Sequence, residues 1–459
     1  MRIKETQATS SRKPLSSSRK PIQSNRKPVP GNRMSHRIGC LLLLIGCMLL
    51  LGSCGRPKNS DTPAPLTPLP TTAQKSATPT KDPQSLLITG EPTPMENDVT
   101  PFQTLTEPKT YPVTEETVKP LGRTYLYDDA MWLSYSGSGA EFFFAGKECK
   151  ITLVSDERQA GDGHEARVAI YVDGERVQDV LMTEDEVTVT AVAGEEDTVA
   201  TVRIVKLSEV SDSVAGIRSI TAIGMITPLS KAGTYIEFIG DSITCGYGVD
   251  GELNKDTYRT SNEDCTKAYA YKTAEMLGAD YSLVSLSGYG IISGYTDSGE
   301  KLPDKTIPKY YGTFGKSYGR FAGTLSPENV KWDFSGRKPD IIVINLGTND
   351  ASYCGADPER RREYIDGYKE FLVTVRKENP DAKIVCTLGI MGTDLCESME
   401  TAVAEYQAAS GDKNITTMRF EQQSEADGLA VDWHPSEKTH EKAAKKLAAF
   451  LGDLLKADE

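Results

Sequence analysis

Four short segments of the 459-residue chain carry the side chains that acyl transfer requires. They are 240–244 (GDSIT), 287–290 (SGYG), 347–350 (GTND) and 432–435 (DWHP). In acyl transfer a serine hydroxyl attacks an ester carbonyl, a histidine takes the hydroxyl proton, and N–H groups hold the charge that develops on the carbonyl oxygen. The first three segments each follow a predicted strand, and the fourth precedes the last predicted helix. The sequence therefore predicts that a nucleophile, a base and oxyanion donors meet at one site.

These segments, in this order, resemble the sequence blocks of the SGNH/GDSL hydrolases. The resemblance implies that Ser242 is the nucleophile and His434 the general base. It also implies an oxyanion hole built from the N–H of Ser242, the N–H of Gly290 and the side chain of Asn349. Gly288 is the alternative glycine, and we prefer Gly290 because its offset from the preceding strand better matches the family.

The segment before His434 departs from the usual SGNH pattern. Most SGNH enzymes carry the triad aspartate three residues before the histidine, where this chain has Val431. Asp432 lies two residues before the histidine, and on an extended segment it should point in a different direction. We therefore expect a Ser–His dyad whose His434 Nδ1 is oriented by a backbone carbonyl. Asp432 remains the alternative third member.

Other side chains near these blocks have predicted roles as well. Tyr289 and Trp433 are candidates for stacking on sugar rings, although either ring could instead belong to the core. His440 falls in the final predicted helix, where we expect it to face solvent. The chain has no HExxH pattern, no His/Asp cluster and no phosphate-binding loop, so we expect neither a metal nor a cofactor.

A second resemblance covers most of residues 113–457. The segments 132–137 (WLSYSG), 172–174 (VDG), 288–291 (GYGI) and 432–440 (DWHPSEKTH) are similar to family 2 of the carbohydrate esterases. This resemblance implies a jelly roll fused to an SGNH domain, and removal of acetyl groups from polysaccharides such as xylan and glucomannan. The alternatives are an esterase of lipids or of O-acetylated peptidoglycan, and a non-catalytic glycan-binding lipoprotein.

The elements that must position these residues fall into two regions. Residues 111–226 show short alternating runs separated by turns, among them the hairpin turn Asp173-Gly174, which predicts an all-β jelly roll. Residues 227–459 alternate strands with helices, which predicts an α/β three-layer sandwich with a parallel sheet. In such folds the active site lies at the carboxyl ends of the strands. The predicted strands of this second region are 235–239, 281–286, 340–346, 383–388 and 415–420.

The sequence of residues 1–53 predicts an export signal. Residues 1–53 carry ten basic side chains and one acidic one, and they end in a short apolar run. The sequence Leu-Gly-Ser-Cys that closes this run resembles the bacterial lipobox, which implies lipidation of Cys54. Residues 54–110 are rich in Pro and Thr, which predicts a disordered tether. We therefore expect an extracytoplasmic protein held on the bacterial cell membrane by a lipid at Cys54.

Composition excludes several other classes of protein. The net charge is −13, and it is −22 once the leader's +9 is set aside, which argues against nucleic-acid binding and favours a neutral glycan. The mean hydropathy of −0.39 argues against an integral transporter. Six cysteines of the two folded regions could pair or be small buried residues. We expect a monomer.

Overall fold

The computed structural model describes residues 106–156 and 161–456. The predicted leader, Cys54 and nearly all of the predicted tether therefore lie outside the described residues. All described residues belong to one compact unit. None of their helices combines the length and the apolar character needed to cross a bilayer.

Nine strands of the described chain form an antiparallel sheet. They are β1 (Lys109–Pro112), β2 (Lys119–Leu121), β3 (Thr124–Tyr127), β4 (Ala130–Leu133), β5 (Gly139–Ser155), β6 (Arg167–Val172), β7 (Glu175–Leu181), β8 (Glu186–Lys206) and β9 (Ala215–Pro228). The long strand β5 pairs with both β8 and β9, and its alternate residues Phe142, Phe144, Ile151 and Leu153 are fully buried. This jelly-roll-like region confirms the predicted all-β class.

The predicted hairpin turn joins β6 to β7. Asp173 and Gly174 have φ angles of 50° and 85°. A two-residue turn with positive φ at both positions matches the right-handed twist of the flanking strands. The antiparallel sheet itself starts at Lys109, two residues before the predicted start of the β-rich region.

The second part of the chain alternates strands and helices, as predicted. In chain order its elements are β10 (Tyr235–Gly240), α1 (Ser242–Cys245), α2 (Tyr269–Met276), β11 (Asp280–Ser285), α3 (Ile307–Tyr310), β12 (Ile341–Asn345), α4 (Thr348–Cys354), α5 (Pro358–Glu378), β13 (Lys383–Leu388), α6 (Cys396–Ser410), β14 (Ile415–Arg419) and α7 (Glu437–Lys456). The strands form a parallel sheet in the order β11-β10-β12-β13-β14.

Both faces of the parallel sheet are covered, which makes three layers. In β12, Ile341 and Val343 point to a core shared with α2 and α7, whereas Ile342 and Ile344 point to a core shared with α5 and α6. Because both faces of β12 are buried, its sequence is a continuous apolar run. The carboxyl ends of β10, β11 and β12 therefore meet at one edge, where the first three sequence segments begin.

The antiparallel region contributes to both of these cores. Leu121 and Val205 join the core beside α2, and Tyr135 and Val210 join the core beside α5. The six cysteines within the described residues are free, and all are buried. They are Cys149, Cys245, Cys265, Cys354, Cys386 and Cys396.

Candidate active site

Ser242 occupies the turn between β10 and α1. Gly240 ends the strand, and a Cβ at this glycine would lie 2.0 Å from Thr244 Oγ1, so a larger residue would push the turn open. Asp241 caps the helix, since its carboxylate accepts a hydrogen bond from Ile243 N–H at 3.1 Å. Among the described residues, none accepts a hydrogen bond from the Ser242 N–H. The serine therefore presents a hydroxyl and an unused backbone donor at the carboxyl end of β10.

His434 lies beside Ser242. Its Nε2 is 2.8 Å from Ser242 Oγ, and its Nδ1 is 3.1 Å from the carbonyl oxygen of Val431. Because a carbonyl can only accept, Nδ1 carries the proton and Nε2 is free to accept from the serine. Burial lowers the pKa of His434 to about 4, which keeps the ring neutral at physiological pH. The acceptor at Nδ1 is thus a backbone carbonyl, the arrangement predicted for a dyad.

Asp432 does not reach the imidazole as a third member of a triad. Its carboxylate accepts a hydrogen bond from Tyr247 OH at 2.9 Å. Asp432 and Trp433 have φ angles of 51° and 66°, so the segment before the histidine is a left-handed turn and not the extended segment we predicted. The Tyr247 ring lies against that of His434, with 4.3 Å between the ring centroids.

The structure corrects the predicted glycine of the oxyanion hole. The Gly290 N–H donates to the carbonyl of Lys305 at 3.2 Å, and Gly290 O accepts from Ile307 N–H at 2.8 Å, so its backbone is engaged in a short bridge. Gly288 has a φ of 77°, and its missing side chain faces open space. No described residue accepts a hydrogen bond from the Gly288 N–H. The glycine available to a substrate oxygen is therefore Gly288.

Asn349 occupies the first turn of α4 and is buried. Its amide nitrogen lies 2.8 Å from Tyr289 O and 3.2 Å from Asp241 Oδ2. Burial raises the pKa of Asp241 to about 7. The amide is thus oriented by two neighbours, and each of its two hydrogens has an acceptor in this structure, so donation to an oxyanion requires the exchange of one of these contacts.

The loop that follows β11 is held by Asp350. The carboxylate of this residue accepts hydrogen bonds from the backbone N–H groups of Ile291, Ile292 and Ser293 at 2.8–3.1 Å. These bonds oppose the effect of burial, which nevertheless raises the pKa of Asp350 to about 6. Asp350 therefore fixes the far end of the loop that contains Gly288.

The two predicted stacking residues have different environments. Tyr289 is only 8% exposed and packs edge-on against Tyr310, so it belongs to the core and cannot act as a sugar platform. The Trp433 side chain is 57% exposed and lines an open cavity of about 570 Å³ with Leu253 and Leu429. Of these two residues, Trp433 is the one whose ring is accessible to a ligand.

Sequence reasoning missed several residues around the site. His440 is buried, and its Nδ1 accepts a hydrogen bond from Tyr269 N–H at 3.2 Å, so the expectation of a solvent-facing histidine is wrong. Tyr258 stacks on Tyr247 at 4.0 Å, and Glu209 accepts from the N–H of Ser287 at 2.9 Å. Tyr258 and Glu209 belong to none of the segments singled out in the sequence, and nothing in the sequence places them near Ser242.

One group of potential metal ligands lies within the described residues. Ligand atoms of Glu209, Cys245 and Glu263 lie within 4.8 Å of one another, and all three residues are buried. Burial raises the pKa of Glu209 to about 7, and it raises those of Cys245 and Glu263 well above their usual values. The Cys245 thiol therefore keeps its proton near neutral pH, whereas a metal ligand must release it.

Two family models match the chain. The GDSL-like lipase/acylhydrolase family matches residues 238–442, and the carbohydrate esterase 2 N-terminal domain matches residues 121–228. The carbohydrate esterase 2 match ends with β9 and the GDSL-like match begins within β10, so the gap between them lies where the antiparallel sheet gives way to the parallel one.

Two named proteins and one protein of known structure are similar to this chain. The chain is 33% identical to the cellulase/esterase CelE of Acetivibrio thermocellus over 70% of its own length, but it spans only 37% of CelE. It is 24% identical to an acetylxylan esterase / glucomannan deacetylase of Cellvibrio japonicus, over 74% of this chain and 89% of that protein. It is 30% identical to a family two carbohydrate esterase from Clostridium thermocellum solved with cellohexaose, with a TM-score of 0.63, covering 74% of this chain and 99% of that one.

Proposed function

Because the chain belongs to family 2 of the carbohydrate esterases, we propose that it is a serine esterase that removes O-acetyl groups from plant cell-wall polysaccharide. The observation that carries the proposal is the 2.8 Å contact between His434 Nε2 and Ser242 Oγ. A neutral imidazole at that distance can accept the hydroxyl proton directly. Because the acceptor at Nδ1 is the Val431 carbonyl and no carboxylate of the described residues bonds to it, the catalytic unit is a dyad.

Catalysis proceeds through an acetyl-enzyme. Ser242 Oγ attacks the acetyl carbonyl carbon while His434 Nε2 takes the hydroxyl proton. The N–H groups of Ser242 and Gly288, with the Asn349 amide, hold the oxyanion. Protonated His434 gives its proton to the departing sugar oxygen, which leaves acetyl-Ser242. Water then attacks the acetyl carbon as His434 Nε2 takes one of its protons. The bond to Ser242 Oγ breaks, the histidine returns that proton to the serine oxygen, and acetic acid leaves and ionises to acetate.

The substrate class follows from relatives and from charge. A relative is named as an acetylxylan esterase / glucomannan deacetylase, and we extend that substrate class to this chain. An acidic protein favours a neutral glycan, since an anionic polymer would be repelled at long range. Trp433 directly precedes His434 in the chain, and its exposed ring suits stacking on a sugar ring. Acetylated xylan and glucomannan are therefore the substrates to test first.

The test is acetate release from acetylated xylan and glucomannan by the wild type, Ser242→Ala and Ser282→Ala. Ser282 is a buried serine within β11, so its replacement controls for loss of a hydroxyl. We expect release by the wild type and Ser282→Ala, and none by Ser242→Ala. Aryl esters of longer acyl chains provide the comparison with lipid esterases. Faster cleavage of those esters than of aryl acetate, or full activity of Ser242→Ala, would refute the proposal.

We also propose that the protein is an extracytoplasmic lipoprotein anchored through Cys54. The support is in the sequence alone: a basic segment, a short apolar run and Leu-Gly-Ser before the cysteine. The Pro/Thr-rich residues that follow would give the enzyme reach from its membrane toward an external polymer. We propose a monomer.

A further inference from the structure

The loop that carries Gly288 is held at both ends by buried carboxylates. Asp350 binds its far end, at Ile291 to Ser293. At the near end, Glu209 Oε2 accepts a hydrogen bond from the N–H of Ser287 at 2.9 Å. Asp350 comes from α4, beside the other site residues. Glu209, in contrast, lies between β8 and β9 and thus comes from the antiparallel region.

Glu209 is itself fixed by its surroundings. It is buried, and its backbone N–H donates to Glu263 Oε2 at 2.8 Å. Its backbone carbonyl accepts from Lys206 Nζ, also at 2.8 Å. Glu263 Oε2 accepts a second bond from Tyr258 OH at 3.0 Å. The backbone of Glu209 is therefore held at both its N–H and its carbonyl, which fixes the position from which its side chain extends.

The partner of Glu209 is the residue immediately before the unused donor. Ser287 N–H and Gly288 N–H belong to consecutive peptide units, so a shift of the first moves the second. Gly288 has a left-handed φ of 77° and no neighbour within 4 Å of its missing Cβ. Two backbone bonds hold the turn, from Tyr289 N–H to Leu286 O at 3.3 Å and from Tyr295 N–H to Gly288 O at 2.9 Å, but neither involves the peptide unit that carries the Gly288 N–H.

We propose that Glu209 is a positioning residue of the active site, which holds Ser287 N–H and thereby directs Gly288 N–H at the oxyanion. This inference rests on the proposed function. It gives the antiparallel region a part in catalysis beyond framing the cleft. Errors of about 1 Å in such positioning cost on the order of 100-fold in rate.

The test compares Glu209→Met with Glu209→Gln, using p-nitrophenyl acetate as the probe. The two side chains have similar length, but only glutamine keeps an oxygen that can accept from Ser287 N–H. We expect Glu209→Met to lower kcat by about 10- to 100-fold with KM within about threefold. Glu209→Gln should restore kcat to within about threefold of the wild type.

Glu141→Met controls for the loss of a buried glutamate. Glu141 lies in β5, where it pairs with Lys119 and Arg203. Its replacement should lower the melting temperature but leave kcat unchanged at temperatures where the protein is folded. If Glu209→Met does not fold, Glu209→Asp decides, because it retracts the acceptor by one methylene. It should lower kcat by at least about fivefold.

Ser242→Ala in the same assay separates the two claims. If Ser242→Ala remains active, the proposed function fails. If Ser242→Ala is inactive while folded Glu209→Met keeps a wild-type kcat, the positioning role alone is overturned. Equal loss in Glu209→Gln and Glu209→Met would also overturn it, because the acceptor oxygen would then be irrelevant. If Glu209→Met does not fold, a wild-type kcat in Glu209→Asp would overturn the positioning role as well.

Discussion

At the scale of single residues, the site depends on an imidazole held between a hydroxyl and a backbone carbonyl. Val431 O accepts from both the backbone N–H and the Nδ1 of His434, at 3.0 Å and 3.1 Å. A main-chain acceptor fixes the tautomer of the ring without placing a charge at Nδ1. The carboxylate of Asp432 contributes only at longer range, since it is bonded to Tyr247.

Replacing Asp432 with asparagine should therefore have a small effect on catalysis. We expect kcat of Asp432→Asn to fall by less than about tenfold, because the Nδ1 acceptor is untouched. Loss of a true triad aspartate costs about 10⁴-fold in a serine protease. Steady-state kinetics on p-nitrophenyl acetate measure this directly, and a decrease of that larger size would restore Asp432 as the third member.

The pH dependence of kcat/KM follows from the burial of His434. Burial lowers the pKa of His434 to about 4, and the general base must be neutral to act. Activity should therefore be retained as the pH falls through 6.5 and be lost only with a midpoint near 4. The negative charge of Asp432 raises this pKa, so Asp432→Asn should move the midpoint lower still. A midpoint near 6.5 in the wild type would mean that the ring is solvated in the working enzyme.

Sequence reasoning identified side chains better than backbone donors. The residue types and order of the four segments led to Ser242, His434 and Asn349, which the structure brings together. The choice of Gly290 over Gly288 was wrong. It depends on which backbone N–H groups are already bonded within the loop, and the hydrogen bond from Gly290 N–H to Lys305 O cannot be predicted from spacing. The burial of Tyr289 and His440 likewise depends on tertiary packing.

At the scale of secondary-structure elements, the two sheets are joined by a buried ion pair. Arg123, between β2 and β3, places Nη2 at 3.0 Å from Glu237 Oε2 in β10. Both side chains are buried, and Tyr311 OH donates to the other carboxylate oxygen at 2.9 Å. The pair thus connects the antiparallel region to the strand that ends at Ser242.

Arg123→Met should destabilise the fold strongly. Removing one partner of a buried pair leaves the other charge unpaired, which typically costs about 3–5 kcal/mol. The matched control is Arg362→Met, since Arg362 pairs with Asp366 and Glu405 on an exposed surface. That change should cost less than about 1 kcal/mol. Equal losses in denaturant unfolding would show that the buried pair does not connect the regions energetically.

The elements themselves were largely predictable. The parallel strands stand within one or two residues of their predicted bounds, because each is a short apolar run enclosed by turn residues. The connection between the regions was not predictable. It depends on Arg123, Glu209 and Glu237, charged residues that a sequence pattern assigns to the surface.

At the scale of the whole molecule, the chain combines a described catalytic unit with an N-terminal part that lies outside the described residues. Residues 1–53 carry +9 and the remainder −22, so the chain that follows residue 53 is far more acidic than the average charge of −13 suggests. That acidity suits a neutral polymer as substrate. Anchorage remains a prediction from the sequence.

Cys54→Ser should release the protein from the membrane fraction of its bacterial host. The apolar run contains two further cysteines, Cys40 and Cys47, so Cys47→Ser is a matched control that should remain anchored. Fractionation followed by immunoblotting measures the distribution. Retention of Cys54→Ser at the membrane would exclude lipidation at that residue as the anchor.

The most direct test of the account is covalent labelling of the nucleophile. We expect diethyl p-nitrophenyl phosphate to inactivate the esterase in step with the addition of one diethylphosphoryl group, located by peptide mass spectrometry on Ser242. His434→Ala should slow this reaction, and Ser242→Ala should not be labelled. Complete inactivation with the label on another residue, or with no label on Ser242, would contradict the central claim that Ser242 and His434 form the catalytic dyad.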